Sequence, residues 1–313
     1  MVFLIRPGLV LLLCASTLMG CTQLLFQPME AHVNDPEALG IEAEDVYLES
    51  DDGVRLHAWF LPAQKTPRRG SILFLHGNAE NISTHLASVW WLPDYGFDVF
   101  LVDYRGYGRS EGRPTLAGVH ADARAALKTL LEREGVDAQR VAVFGQSLGG
   151  AVAINLVAQS RFRGQIGALI VEGVPTSFRA RARELLGDWW LTWTFQWPLS
   201  LTISDRYRPI DSVAAIAPVP LLIVHGAADT IIPLEHGRAL YAAAREPKHL
   251  WVVPDARHIQ AFLEPQWRER LVKYLEQTLA APQASAGEDR ADEADAEVAR
   301  RGGSPSQSAD RVQ

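Results

Sequence analysis

The chain has 313 residues, 48% hydrophobic and 21% charged, a composition that builds a sizeable core and excludes disorder throughout. A net charge of −7, without a concentrated basic stripe, argues against nucleic acid as a partner. The two cysteines, Cys14 and Cys21, both lie near the N-terminus, so the body of the chain has no disulfide, no Cys/His zinc spacing and no expected metal site.

Arg6 supplies an N-terminal positive charge, and Pro7 to Gly20 follow without another. This run is shorter than the roughly 20 apolar residues that span a bilayer, and it fits the apolar region of a secretory signal peptide. It ends in Leu18-Met19-Gly20-Cys21. That ending resembles the bacterial lipobox, from which Met19 is a departure. The resemblance implies removal of residues 1–20, acylation of Cys21 and a lipid anchor in the bacterial cell envelope. Thr22, standing where Asp would retain a lipoprotein, implies the outer membrane rather than the inner.

Residues 21–43 read as a polar tether with turn formers such as Asn34-Asp35-Pro36. A single domain is expected over 44–280. The tail, 281–313, has no large apolar residues besides Val298 and Val312 and is expected to be disordered.

Within the domain, strands and helices alternate. Val46 to Ser50 and Arg55 to Leu61 flank Asp51-Asp52-Gly53 and predict a hairpin. Short apolar strands are predicted at Ser71–Leu75, Phe97–Val102, Val141–Phe144, Ile166–Val171, Leu221–Val224 and Leu250–Val253. Helical spacing covers Leu116–Arg133, Gly150–Gln159 and Leu263–Thr278. Such alternation implies an α/β fold with a mostly parallel sheet covered on both faces.

The strongest motif is Gly145-Gln146-Ser147-Leu148-Gly149, a G-x-S-x-G turn between a predicted strand and a predicted helix. The turn projects the Ser147 hydroxyl, and the following helix aims its N-terminal amides at the same point. A serine hydroxyl needs a base, and the base needs an orienting acid, in the order Ser, Asp or Glu, His. Asp229 follows the strand ending at Val224-His225-Gly226, and His258 follows the last strand. Asp205, Asp211 and Asp255 are rival acids; His225, His236 and His249 are rival bases. The order rule favours Asp229 and His258. The oxyanion donors are expected at the Leu148 amide and in the loop His76-Gly77-Asn78-Ala79, with Asn78 favoured and His76 structural.

Four segments together carry a family resemblance: Leu75-His-Gly-Asn-Ala-Glu-Asn-Ile-Ser83, Asp103-Tyr-Arg-Gly-Tyr-Gly-Arg-Ser110, the Ser147 elbow and His225-Gly-Ala-Ala-Asp229. From about 44 to 278 the chain resembles the α/β-hydrolase superfamily, and in its loops the membrane-associated members that include protein depalmitoylases. The resemblance implies hydrolysis of a carboxylic ester, thioester or amide without a cofactor. It assigns Ser147, Asp229 and His258 as a triad, and Asn78 or Ala79 with Leu148 as the oxyanion hole.

In this fold a cap is expected at about 175–210. Here it holds Trp189, Trp190, Trp193 and Trp197 with Phe178 and Phe195, faces suited to an acyl chain or a membrane interface, or to packing the cap on the sheet. The expected partners are therefore a small-molecule acyl ester or thioester and, through the N-terminal lipid, a membrane. A serine peptidase and a non-catalytic envelope scaffold are the alternatives.

Overall fold

Apolar residues alternate along the central strands, and each set packs a different face. Leu73, Leu75, Val143, Leu169 and Val171 join one cluster, whereas Ile72, Phe74, Ala142, Phe144 and Ile170 join another. The two-residue period of an extended chain produces this split. The computed structural model describes residues 26–187, 194, 196–201 and 203–280. The signal segment, Cys21, the 281–313 tail, Trp189, Trp190, Trp193 and Phe195 lie outside the described residues.

The strands are β1 (Gln27–Pro28), β2 (Glu44–Glu49), β3 (Arg55–Leu61), β4 (Gly70–Leu75), β5 (Ala79–Glu80), β6 (Phe97–Val102), β7 (Val141–Gln146), β8 (Ile166–Glu172), β9 (Leu221–Gly226) and β10 (Lys248–Val253). The main sheet runs β10-β9-β8-β7-β4-β6-β3-β2. Neighbours from β10 to β6 are parallel, and β6-β3-β2 are antiparallel, so the predicted hairpin closes one edge. Helices α1 (Leu116–Leu131) and α2 (Leu148–Gln159) cover one face, through residues such as Leu127, Leu130, Val152 and Leu156. Helix α3 (Phe178–Gly187) and the short α4 (Gln196–Ser200) lie between β8 and β9, in the interval where a cap is expected, α5 (Leu234–Ala243) follows β9, and α6 (Pro265–Ala280) covers the opposite face with Leu271 and Leu275. This is the α/β-hydrolase fold.

Strand order reverses at β4. The chain leaves β4 for β6 on one side and later returns as β7 on the other. Such a reversal opens a crevice at the carboxyl ends of the two strands, where open α/β sheets bind ligands. His76-Gly77 and Ser147 follow β4 and β7 at that crevice.

Two features hold the neighbouring loops. The buried Arg105 guanidinium donates to Asp122 through Nε and Nη2, at 2.7–3.1 Å, and to Asp52 through Nη1 at 2.6 Å. The N-terminal segment corrects the expectation of a tether over 21–43. Phe26 is buried in the core, β1 pairs with β5, and Asn81 Nδ2 donates to the Met29 and Ala31 carbonyls. From Phe26 onward this stretch is part of the domain, because backbone pairing and one aromatic anchor outweigh its polar composition.

Candidate active site

Ser147 is the single residue between β7 and α2, with φ 52° and ψ −113°. A side-chain-bearing residue rarely adopts this backbone, so the surroundings must enforce it. A methyl group on Gly149 would stand 2.0 Å from the Leu75 carbonyl oxygen, and one on Gly145 would stand 2.4 Å from the Gly149 carbonyl oxygen. The glycines thus let α2 start directly against the end of β4. The Ser147 amide donates to the Glu172 carbonyl at 2.9 Å, tying the elbow to the end of β8.

His258 lies in the loop after β10, and its Nδ1 is 2.8 Å from Asp229 Oδ2 in the loop after β9. Asp229 Oδ1 accepts from the amides of Ile231 and Ile232 at 2.9 and 2.8 Å. Burial pushes the Asp229 carboxyl upward, but the hydrogen bonds from His258 and the loop amides outweigh it and hold the group below its ordinary value. An ionised Asp229 takes the Nδ1 hydrogen and leaves the Nε2 lone pair of a neutral ring unshared.

Glu172 and Gly173 connect the serine to this pair. Glu172 bonds the Ser147 amide through its carbonyl, and Gly173 packs against the imidazole. A methyl group on Gly173 would stand 3.1 Å from His258 Cε1 and 3.5 Å from Asp229 Oδ2. Sequence reasoning overlooked Glu172. Its buried carboxylate accepts from Gln146 Nε2 at 2.7 Å and from the Ala261 amide at 2.9 Å, joining the residue before Ser147 to the segment after His258. Burial raises its pKa, against the pull of those two hydrogen bonds. An acid ending the apolar run Ile166–Val171 was the available signal.

The rival residues have other partners, although His225 Nε2 also lies 3.7 Å from Asp229 Oδ2. Asp205 accepts from Ser177 Oγ, and Asp211 pairs with Arg208. His225 is buried with Nε2 2.8 Å from the Ile232 carbonyl, and His236 contacts Thr176 and Glu184. His249 meets Tyr274 edge-on at the amino-terminal end of β10, away from the crevice, and Asp255 is exposed.

Gly77 brings the loop after β4 onto the elbow; a methyl group there would be 3.8 Å from Ser147 Cβ. Asn78 and Leu148 line one cleft with Phe26, Leu116 and Phe178. The Leu148 amide lies in the first turn of α2, where amides have no helical acceptor. The Asn78 carbonyl and Oδ1 both accept from Tyr107 OH, at 2.8 and 3.2 Å. Ala79 is drawn into β5 beside Gln27, and its carbonyl lies 3.1 Å from His85 Nε2. His76 is fully buried, with Nδ1 2.8 Å from the Gly77 carbonyl; burial lowers its pKa to about 3, so the ring stays neutral. A wider cleft of about 700 Å³, between Leu39 and Trp90, shares no residue with the elbow.

A parallel sheet with a reversed strand order, a strained serine between strand and helix, and a His-Asp pair on two later loops define a protein of the hydrolase class. The chain belongs to the alpha/beta-hydrolase family. The profile of the serine aminopeptidase S33 family matches residues 66–202. The chain is 37% identical over 253 residues to the alpha/beta hydrolase domain-containing protein WAV2 of Arabidopsis thaliana, covering 77% of this chain and 81% of that protein. It is 36% identical over 240 residues to the uncharacterised protein YfhR of Escherichia coli K12, covering 74% and 80%. In three dimensions it resembles the Pyrococcus furiosus esterase Pf2001 with a TM-score of 0.66 at 24% identity, over 82% of this chain and 98% of that one.

Proposed function

We propose that the protein is a serine hydrolase of carboxylic esters or thioesters that works through an acyl-enzyme. The observation that carries this reading is the 2.8 Å His258–Asp229 contact, set against Gly173, whose neighbour Glu172 bonds the Ser147 amide. Ser147 Oγ attacks the acyl carbonyl carbon while its proton passes to His258 Nε2. The oxyanion is stabilised by the Leu148 amide and a donor from Asn78 or Ala79. The tetrahedral intermediate expels the alcohol or thiol, which leaves with the proton from His258. Water, deprotonated by the same imidazole, then releases the acid and restores Ser147.

The apolar cleft beside Leu148 is small, about 50 Å³, and supports no more than a short acyl group at the elbow. Trp197, Leu199 and Leu201 of the cap are exposed, with the Arg183 guanidinium over the Trp197 ring, which supports work near a lipid surface. In this reading Cys21 is acylated and anchors the protein to the envelope, at the outer membrane. Among the described residues no helix is long and apolar enough to cross a bilayer.

A fluorophosphonate probe tests the chemistry. Labelling of the wild type that disappears in Ser147→Ala is the expected result; an unlabelled wild type would favour the scaffold reading. The serine aminopeptidase profile gives a peptidase a specific basis, so turnover of aminoacyl-anilides is compared with that of acyl esters. Mass spectrometry of the mature N-terminus tests acylation of Cys21.

A further inference from the structure

Beside the loop that carries Asn78 and Ala79, three residues far apart in the sequence converge. His32 Nε2 is 3.0 Å from Asp103 Oδ2, and His57 Nδ1 is 3.7 Å from the same oxygen. The three candidate donor atoms all lie within 4.8 Å of one another. The side chains of His57 and Asp103 are fully buried, and that of His32 is 8% exposed.

The 3.0 Å contact of His32 Nε2 with Asp103 Oδ2 is of hydrogen-bond length, whereas His57 Nδ1 is left out of the bonding. His57 Nε2 lies 2.6 Å from Asp45 Oδ1, an oxygen that also accepts from the Trp59 indole at 2.9 Å. On its other side the ring turns Nδ1 toward Asp103 Oδ2 at 3.7 Å, beyond hydrogen-bond distance. Among the described residues His57 Nδ1 has no hydrogen-bond partner. A buried polar nitrogen without a partner is costly, and a cation held between it and the Asp103 carboxylate would remove that cost.

We infer that His32 Nε2, His57 Nδ1 and Asp103 Oδ2 form a binding site for a divalent transition metal of the zinc class. Zinc bonds of 2.0–2.2 Å in a tetrahedron separate the donors by roughly 3.4 Å. The observed 3.0 and 3.7 Å bracket that value. The outer contacts match for His57 and Asp103, whereas His32 Nδ1 is buried without a partner among the described residues. Histidines bound to metal commonly give their second ring hydrogen to a carboxylate, as His57 gives its own to Asp45. The other oxygen of Asp103 is fixed by the Ile82 amide at 2.9 Å. Two imidazoles select against magnesium and calcium, which prefer oxygen donors. His76 Nε2, 3.8 Å from Asp103 Oδ1, faces the opposite oxygen and stays outside the set.

The site joins three parts of the domain: the N-terminal segment through His32, β3 through His57, and the turn after β6 through Asp103. Asn34 and Val33 bond Ser83, and Asn81 bonds Met29 and Ala31, so the segment already lies along the stretch that follows the candidate oxyanion loop. A metal at His32 clips that segment in place.

The test uses the full chain in detergent, stripped with EDTA and titrated with Zn²⁺, Co²⁺ or Mg²⁺. The expected result is one Zn²⁺ per chain, a raised thermal midpoint, visible d–d absorption with Co²⁺, and no response to Mg²⁺. His57→Gln alters a fully buried ring and can unfold the chain, so His32→Gln, at the edge of the cluster, is the deciding variant. It should keep its circular dichroism and bind Zn²⁺ at least about tenfold more weakly, whereas His249→Gln binds as the wild type does. A wild type without stoichiometric Zn²⁺, or a folded His32→Gln that binds it equally well, overturns the inference.

Discussion

Asp229 divides its carboxylate between His258, whose Nδ1 lies 2.8 Å from Oδ2, and its own loop, whose Ile231 and Ile232 amides bond Oδ1. The orientation of the imidazole is thereby set by the turn that follows β9. Asp229→Asn tests that dependence. The amide oxygen of Asn can keep the loop contacts, while an NH₂ facing Nδ1 favours the wrong tautomer. With a p-nitrophenyl acyl ester, kcat should fall on the order of 10⁴-fold while circular dichroism stays unchanged. Turnover within a few-fold of the parent would separate the orientation of His258 from Asp229.

Gly149 is the point where helix α2 touches strand β4, since a methyl group there would stand 2.0 Å from the Leu75 carbonyl oxygen and 2.5 Å from that of His76. Both obstacles are backbone, so neither can rotate away. Gly149→Ala must push the start of the helix from the loop that carries Gly77 and Asn78, and the elbow moves with it. The expected outcome is a loss of esterase turnover and of fluorophosphonate labelling, with a lowered urea midpoint. An unchanged midpoint would mean that the helix start absorbs the shift.

Arg105 neutralises Asp122, a fully buried carboxylate whose pKa burial raises despite the guanidinium beside it. Arg105→Met removes the cation and leaves the carboxylate without its charge partner, which costs about 3–5 kcal/mol in comparable buried pairs. Urea unfolding should show a loss of that order. Adding Asp122→Asn should recover part of it, because the stranded charge is gone. If the double variant is no more stable than Arg105→Met, the loss comes from the guanidinium's packing and its bonds to Ser50 and Asp52.

Legibility in the sequence follows how local each signal is. The elbow around Ser147 is written in five consecutive residues, and Asp229 and His258 each follow an apolar strand closely enough to be placed by order. Glu172 was not legible, since its partners Gln146 and Ala261 become neighbours only when β8 pairs with β7 and the segment after β10 folds back. The meeting of His57 and Asp103 likewise depends on β3 pairing antiparallel with β6. Residues 26–34 looked like a tether because their polar composition hides what holds them, which is mostly backbone bonding to Glu80, Asn81 and Ser83.

His120 makes stability depend on pH in a definite direction. It is buried on α1, with its ring stacked on Tyr207 at 4.0 Å between centroids and Nδ1 2.7 Å from the Leu116 carbonyl. Burial lowers its pKa from 6.5 to about 4, opposed by the Leu116 bond and helped by Arg124 and Arg206. Between those two values the unfolded chain holds a proton that the folded chain does not. Stability is therefore full above the unfolded value and declines as pH falls toward the folded one, by up to about 1.4 kcal/mol per pH unit. His120→Phe keeps a ring against Tyr207 and removes the titrating group. The drop in urea midpoint between about pH 7 and about pH 5 should shrink in this variant without vanishing, because buried His76 and His225 are shifted the same way. A drop as steep as the parent's would show that the folded protein protonates His120 as readily as the unfolded chain does.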